Sequence, residues 1–528
     1  MHPSTLAIPD FSLVEKFISH VKPKSGDSFE SERLTTLDGL DFLFVAGRQN
    51  SLTRKIDRPF LSSFLPLPNR NDASRVLNAL EDLRSVEDSL TTLLHITKEG
   101  VYQLGPSRKI MSLPFEIIAI IFEIVFLAES NATARLSLVC KSFRKAVLNM
   151  PRLWTDISNK SNLNPQHYLE RSKSIGIDVE IFPQEHCEAF MLQVAQHASR
   201  WKSVSFRGCL QYASLVDILR HLRRILPRMS FSALETLNII YYGAVPKDAN
   251  NRVIDDEVLR LFGAWDMPVL RRLDCTDLVP VIPSAVSLTC IRLTLYKEMG
   301  GDRVWNLQAI ANCLGSSSSL KELVIRLDSL KHFSNAEGVF VDLRQLETLD
   351  VGVMYCENQC VEELMGLLSS TPNVKDLTIK SVKFDHAELE HQLGVFFPRD
   401  KIYWPHLETF DLTADCFEYN SRDDFSPLEN VFSRLPKIQH LSVSAGILHF
   451  PADLFVHEHE RGQSMYPPLR TMCLRGCTYL ETGFILGIQH IIDALEFEKL
   501  EITRCPLIDA EAVREIIPAG KVFDWKGQ

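Results

Sequence analysis

No stretch of this 528-residue chain reaches the roughly 20 consecutive apolar residues that a bilayer crossing needs. The densest apolar run, from Ile117 to Phe122, is broken by Glu123, and a carboxylate at bilayer depth is costly. No membrane contact is expected. The start, MHPSTLAIPDFSLVEKF, lacks a basic head followed by an apolar run, so a signal peptide is not expected either. Positive charge is also short: 57 Lys and Arg stand against 67 Asp and Glu, a net charge of −10 with a pI near 5.9. A nucleic-acid binder would want a basic face, so that class is set aside. Twelve cysteines occur without the dense spacing of a disulfide framework, which fits a reducing compartment, cytoplasmic or nuclear.

Catalytic signatures are equally scarce. There is no Gly-x-Ser-x-Gly elbow. Gly520-Lys521 is followed by Val522 and lacks the upstream glycine of a phosphate loop. His457-Glu458-His459-Glu460 puts Arg461 where a zincin would need its second histidine. Cys356/Cys360 and Cys473/Cys477 have neither the pairing nor the four-ligand set of a structural zinc site. A catalytic cysteine would need a base or helix terminus to depress its pKa, and no motif points to one. The expectation is a protein without metal or cofactor that carries no chemistry of its own, with a hydrolase or transferase on an α/β fold as the less favoured alternative.

What the chain does have is a segment, Met111 to Ile157, that opens on a helix apolar nearly all round. Ile117, Ile118, Ile121 and Val125 recur at helical spacing and are assigned to one face. Phe115, Ile120, Phe122, Ile124 and Phe126 fill the others, and Glu116 and Glu123 form one thin polar line. Pro114 suits a first helical turn. Such a helix is normally buried on every side, yet a unit of about 45 residues buries too little surface to cover it. Asn131 is placed to cap a second helix carrying Leu136, Leu138 and Val139, and Cys140, Lys141, Phe143, Arg144 and Val147 follow before a Pro151-x-Leu153-Trp154 close.

In that order these residues resemble the F-box: Leu113-Pro114-x-Glu116-Ile117, Ile121-Phe122, Leu136-x-Leu138-Val139-Cys140-Lys141-x-Phe143-Arg144 and Pro151-x-Leu153-Trp154. Two departures are visible. Phe126 to Thr133 replaces the family's short turn, and Phe143 stands where Trp is commoner. The resemblance implies docking on the S-phase-kinase-associated adaptor, which joins such domains to a cullin scaffold and a RING subunit. By that resemblance the adaptor-binding residues are Leu113, Pro114, Glu116, Ile117, Ile120, Ile121, Phe122, Leu138, Val139, Cys140, Phe143, Leu153 and Trp154.

A repeat follows. The pattern L-x-x-L-x-(L/I/V) recurs as Leu234-Leu237-Ile239, Leu320-Leu323-Ile325, Leu346-Leu349-Val351, Val374-Leu377-Ile379, Leu407-Phe410-Leu412, Ile438-Leu441-Val443 and Leu469-Met472-Leu474. Looser copies are Trp201-Val204-Phe206, Leu270-Leu273-Cys275, Leu288-Ile291-Leu293 and Phe497-Leu500-Ile502. The short gap between Leu270 and Leu288 suggests that one of those two copies is misplaced. Amphipathic helices are expected at Leu307–Leu314, Val361–Leu368, Leu428–Leu435 and Phe484–Leu495. Strand and helix alternating at this period resemble the leucine-rich repeat, whose Asn/Cys position is held here by Cys209, Cys477 and Cys505 and departs elsewhere. The expected fold is therefore α/β: a small all-α F-box helical module over 108–160, then an irregular leucine-rich-repeat solenoid over 161–528, parallel strands on its concave face and helices outside. A doubly wound α/β domain is the alternative. Residues 1–70 form a poorly defined N-terminal region, and Val76 to Leu94 suggests an amphipathic helix or linker over 71–104.

Side chains alternate along a strand, so residues flanking each second Leu point to the concave face. Arg207, Asp274, Arg292, Arg326, Asp350, Lys380, Asp411 and Arg475 stand there, a mixture of both signs that suits a protein target better than a polyanion. The function these expectations describe is a substrate-recognition subunit of a cullin-RING ubiquitin ligase, binding the adaptor with one module and an unidentified target protein with the other. A non-degradative F-box scaffold is the alternative.

Overall fold

The computed structural model describes residues 113–129, 132–160, 164–182, 187–208, 222–224, 229–241, 260–283, 287–297, 304–398, 402–418, 435, 437–445, 468–478, 480–493 and 496–526. The regions expected over 1–70 and 71–104, the cap at Asn131, Cys209 and most of the Leu428–Leu435 helix lie outside them. The chain divides into two compact units between Leu153 and Trp154.

Among the described residues, the first unit holds three helices, α1 (Phe115–Ala128), α2 (Ala132–Val139) and α3 (Lys141–Leu148), and a 3-10 turn, Pro151–Trp154, spans the boundary. Pro114 is the N-cap of α1, one residue before the first turn, in an extended conformation that its ring favours. Its carbonyl accepts from Ile117 and Ile118 at 3.0 and 3.2 Å. Cys140 divides α2 from α3. It is extended, with φ −157° and ψ 169°, and its Sγ accepts from the Phe143 N–H at 3.4 Å. Ile118, Phe122 and Val125 are the buried line of α1, spaced i, i+4, i+7. Ile117 is exposed and lies off the buried line to which spacing assigned it. Phe122 sits edge-on to Phe143, centroids 4.9 Å apart, and the buried Thr133 hydroxyl donates to the Leu153 carbonyl at 2.7 Å, tying the 3-10 turn to the start of α2.

Among the described residues, the second unit is built on one parallel sheet of 14 strands. They are β1 (Asp156–Ser158), β2 (Ile177–Ile181), β3 (Trp201–Gly208), β4 (Thr236–Tyr241), β5 (Arg272–Thr276), β6 (Cys290–Tyr296), β8 (Glu322–Asp328), β10 (Thr348–Met354), β11 (Asp376–Asp385), β12 (Thr409–Glu418), β13 (His440–Ala445), β14 (Thr471–Arg475), β15 (Lys499–Thr503) and β16 (Val522–Lys526). Strand order in space follows order in the chain without reversal. A doubly wound sheet reverses at a switch point, so that alternative does not describe this unit. A separate two-residue ladder joins β7 (Trp305–Asn306) to β9 (Phe333–Ser334).

Every copy of the repeated pattern lands on a strand in the same register. Leu237 pairs with Leu273, Leu273 with Ile291, and the row continues through Leu323, Leu349, Leu377, Phe410, Leu441, Met472 and Leu500 to Phe523. The copies at Leu270 and Leu288 are both genuine: β5 and β6 are neighbours in register, and the described residues between them form no helix. Three strands of the sheet, β1, β2 and β16, were not expected. Gly176 stands three residues before Val179 of β2, and Gly520 three before Phe523 of β16. Before Ile157 of β1 that place is taken by Trp154, so the tryptophan that closes the helical motif also opens the sheet. It packs against Tyr168 at 5.1 Å with the Arg171 guanidinium over its ring at 4.3 Å.

Helices lie in several of the connections: α4 (Pro165–Arg171), α5 (Cys187–Ala195), α6 (Leu307–Gly315), α7 (Asn358–Leu367), α8 (His386–Phe396), α9 (Thr482–Gly487), α10 (Gln489–Asp493) and α11 (Ala510–Ile516). Asn164, Asn306 and Asp509 cap α4, α6 and α11 through their side chains. The segment expected to be one helix from Phe484 to Leu495 is two, because the chain turns at Ile488.

Two backbone devices repeat. Asp277, Ser329, Tyr355, Gly476 and Arg504, just past β5, β8, β10, β14 and β15, all adopt positive φ of 53–60°. Each donates its N–H to the next strand, for example Tyr355 to Val382 at 2.9 Å and Gly476 to Thr503 at 2.8 Å. Four of the five accept the cost of the left-handed region, about 1–3 kcal/mol each, so that the chain can leave the sheet without orphaning a donor. At the other end of the strands, the N–H of Glu235 donates to Lys202, Arg271 to Glu235, Lys375 to Glu347, Glu408 to Lys375 and Glu498 to Arg470. The signs alternate at these pairs, with Thr289 and Gln439 interrupting the row, which favours the native register over a slipped one.

Candidate functional site

With Ile118, Phe122 and Val125 turned inward, the outer side of α1 is apolar as well. Ile117, Ile120, Ile124 and Leu127 follow at i, i+3, i+7 and i+10, one stripe on one face. Ile120 is 52% and Leu127 83% exposed, and Ile124 is half-buried. Glu116 and Glu123 border the stripe, the latter 3.8 Å from Arg152. Leu138 on α2 adds a 69% exposed side chain, and Leu148 on α3 is also exposed. Covering any one of the larger of these would be worth about 1.5–3 kcal/mol. Contiguous exposure of this kind marks an interaction surface.

The residues expected to meet the adaptor divide in two. Pro114, Glu116, Ile117, Ile120, Leu138 and Cys140 are exposed, and Leu113, Ile121 and Val139 half-exposed. Phe122, Phe143, Leu153 and Trp154 are buried within the fold. Phe122 and Phe143 pack on each other and the Leu153 carbonyl accepts from Thr133, so these three brace the helices, while Trp154 packs against Tyr168 and Arg171 at the start of the sheet. Ile124, Leu127 and Leu148 were not among the expected residues. Their spacing was legible, but a helix apolar on all sides does not say which side the fold will cover.

On the sheet, one face packs inward and the other remains open. Asp274, Arg292, Asp350 and Asp411 stand in one row across it, and Arg326, Lys380 and Arg475 in the next. Most of these charges are engaged with one another. Arg326 makes a bidentate pair with Asp350, one limb at 2.6 Å. Gly352 leaves room for it, since a Cβ there would lie 2.5 Å from the Arg326 Cδ. Arg292 reaches Glu322 at 2.9 Å and Asp274 at 4.0 Å, and Arg272 reaches Asp274 at 3.2 Å. The hydrogen bond from Arg292 holds the Glu322 carboxyl below its ordinary range. Arg207 meets Glu180 at 2.6 Å, and Arg475 lies 3.8 Å from Glu501. Between these groups, strands β11 to β13 present Thr378, Thr413, Ser442 and Ser444 around Lys380 and Asp411. Burial raises the Asp411 carboxyl, against the pull of Arg475 and Lys380.

The first strands hold a carboxyl raised by burial. Asp156 lies opposite Asp178 and near Glu180, and burial, reinforced by Glu180 and then Asp178, pushes its carboxyl from the ordinary 3.8 up to about 6. The folded form thus holds the proton more tightly than the unfolded chain. The stabilisation is complete below pH ~4 and lost as pH rises through about 6, at most about 3 kcal/mol before solvent screening. Asp156→Asn is expected to raise the melting temperature at pH 7.5 and leave it unchanged at pH 4. Equal shifts at both pH values would refute the assignment.

Other chemistry is sparse among the described residues. No group of three or more His, Cys, Asp or Glu could hold a metal ion, and no helix is long and apolar enough to cross a membrane. Burial raises the thiols of Cys187 and Cys290 to about 11 and that of Cys313 to about 12, away from nucleophilic character.

The geometry defines a class: a small helical module with an uncovered apolar stripe, in a chain that goes on to a long parallel sheet with an open polar face. Residues 110–160 match the F-box-like family model, so the chain carries an F-box-like domain there. No curated protein matches the chain.

Proposed function

We propose that this chain is the substrate-recognition subunit of a cullin-RING ubiquitin ligase. F-box domains generally bind S-phase-kinase-associated adaptors, and the observation that carries the reading is the stripe Ile117, Ile120, Ile124 and Leu127, exposed on the F-box-like domain together with Leu138. The adaptor covers that stripe and brings the cullin scaffold and RING subunit with it. The second unit is a leucine-rich-repeat-like solenoid, supported by the single register shared by all its strands. Its open face is concave and holds a target protein, with Lys380, Asp411 and the hydroxyls around them the part least committed to internal ion pairs. The chain performs no bond-making itself. It acts by proximity, raising the effective concentration of a target lysine near the activated ubiquitin carrier.

The test is reconstitution. The chain is combined with adaptor, cullin and RING subunit, a captured partner is added, and ubiquitin on that partner is measured. Transfer that depends on the chain supports the reading. A folded chain that does not bind the adaptor sinks it, and adaptor binding with a captured partner that is never modified points to the non-degradative scaffold.

A further inference from the structure

The last described strand of the sheet, β16, differs from the strands inside it. In β15 the core-side residues Leu500 and Ile502 are fully covered, as are Met472 and Leu474 of β14. Their register partners in β16, Phe523 and Trp525, remain half-exposed. Ile516 and Ile517, at the end of α11, are half-exposed too, and Val522 is 55% exposed. Strand β16 is paired on one side only, with β15. Its other side presents backbone N–H and C=O groups in the arrangement that accepts another strand. The opposite end of the sheet does not match it, because β1 is three residues long and its core-side Ile157 is covered.

We propose that β16 is a self-association edge, pairing antiparallel with β16 of a second copy about a two-fold axis at Trp525. The charges select this register. With Trp525 facing Trp525 of the second copy, Asp524 stands opposite Lys526 of that copy, and Lys526 opposite its Asp524. Both cross-strand pairs are of opposite sign. Centring the pair on Asp524 instead would set two carboxylates face to face. Within one chain Lys499 already lies 3.7 Å from Asp524, and Lys526 3.6 Å from Glu501, so the new pairs continue an existing alternation. The contact also carries the core row from Ile502 and Trp525 across the axis onto a second indole, covering the surface that the last strand leaves open. A head-to-tail arrangement would have to seat β16 on the short, covered β1, whereas the two-fold contact closes on itself. The contact surface lies wholly in the sheet and does not depend on adaptor binding.

Sedimentation of the full chain across a wide concentration series tests this. The mass should move from 60.1 kDa towards twice that value. Asp524→Lys turns both attractive pairs repulsive and should weaken association about tenfold, with thermal melts checking that the variant is folded. Crosslinking fixes the register independently of that variant. Residues opposite each other in an antiparallel pair have Cα atoms about 4.5–5.5 Å apart, within disulfide reach. Under mild oxidation Trp525→Cys should give a covalent dimer above the wild-type background, and Lys526→Cys should not. A wild type that stays monomeric throughout would overturn the proposal. So would association indifferent to a folded Asp524→Lys, or equal crosslinking by the two cysteine variants.

Discussion

Ile120→Glu combined with Leu127→Glu is expected to weaken adaptor binding by at least about 100-fold, or about 2.8 kcal/mol, while the helices stay folded. Both side chains lie on the outer stripe of α1 and neither contributes to the buried line of Ile118, Phe122 and Val125. Removing them costs the interface the transfer of two large aliphatic groups, about 1.5–3 kcal/mol each. Placing carboxylates there adds the penalty of burying an unpaired charge. Calorimetric titration with the purified adaptor reads the loss, and an unchanged circular dichroism spectrum shows that it is not a folding effect. Leu113→Ala with Pro114→Ala should cost less, because Leu113 is already half-buried and Pro114 acts mainly as a cap. If the double glutamate variant binds like the wild type, the stripe is not the docking surface.

Phe122→Ala should abolish the same binding by a different route. Phe122 is 1% exposed and packs edge-on against Phe143. Truncating a buried phenylalanine costs about 3–5 kcal/mol, a large share of what a unit this small can hold. Hydrogen exchange separates the two variants. Phe122→Ala should lose amide protection across α1 to α3 while the sheet amides keep theirs, whereas the glutamate variant should keep protection in both. Full protection of α1 to α3 in Phe122→Ala would mean that the ring pair is not what holds the helices.

Much of the sheet could be read from spacing. Leu234-x-x-Leu237-x-Ile239 and its relatives alternate apolar and polar residues with the period of a strand, and the buried positions then fall into register from one strand to the next. The strands β2 and β16 escaped because Gly176 and Gly520 stand where an apolar leading residue should be, and β1 because its leading Trp154 also closes the helical motif. Those leading places lie before the strand proper, so a different residue there does not prevent pairing. The two-helix break at Ile488 escaped for a different reason: buried apolar residues lie on both sides of the turn, Phe484 and Ile485 before it and Ile491 and Ile492 after it, so periodicity alone continues through it.

Sequence by itself determined the order of parts: an apolar helical module with the F-box pattern of Leu113 to Trp154, then a run of strands in one repeating register. It did so because local spacing decides which residues can share a face. Only the tertiary structure decided which face of α1 is covered, since a helix apolar all round has no preferred inner side until Phe143 packs on Phe122. It alone decided that Phe143, Leu153 and Trp154 are buried, because burial depends on what else comes near. It also decided the fate of the open-face charges. Arg326 and Asp350 are 24 residues apart in the chain, and they meet because β8 and β10 are neighbours and Gly352 leaves the space between them.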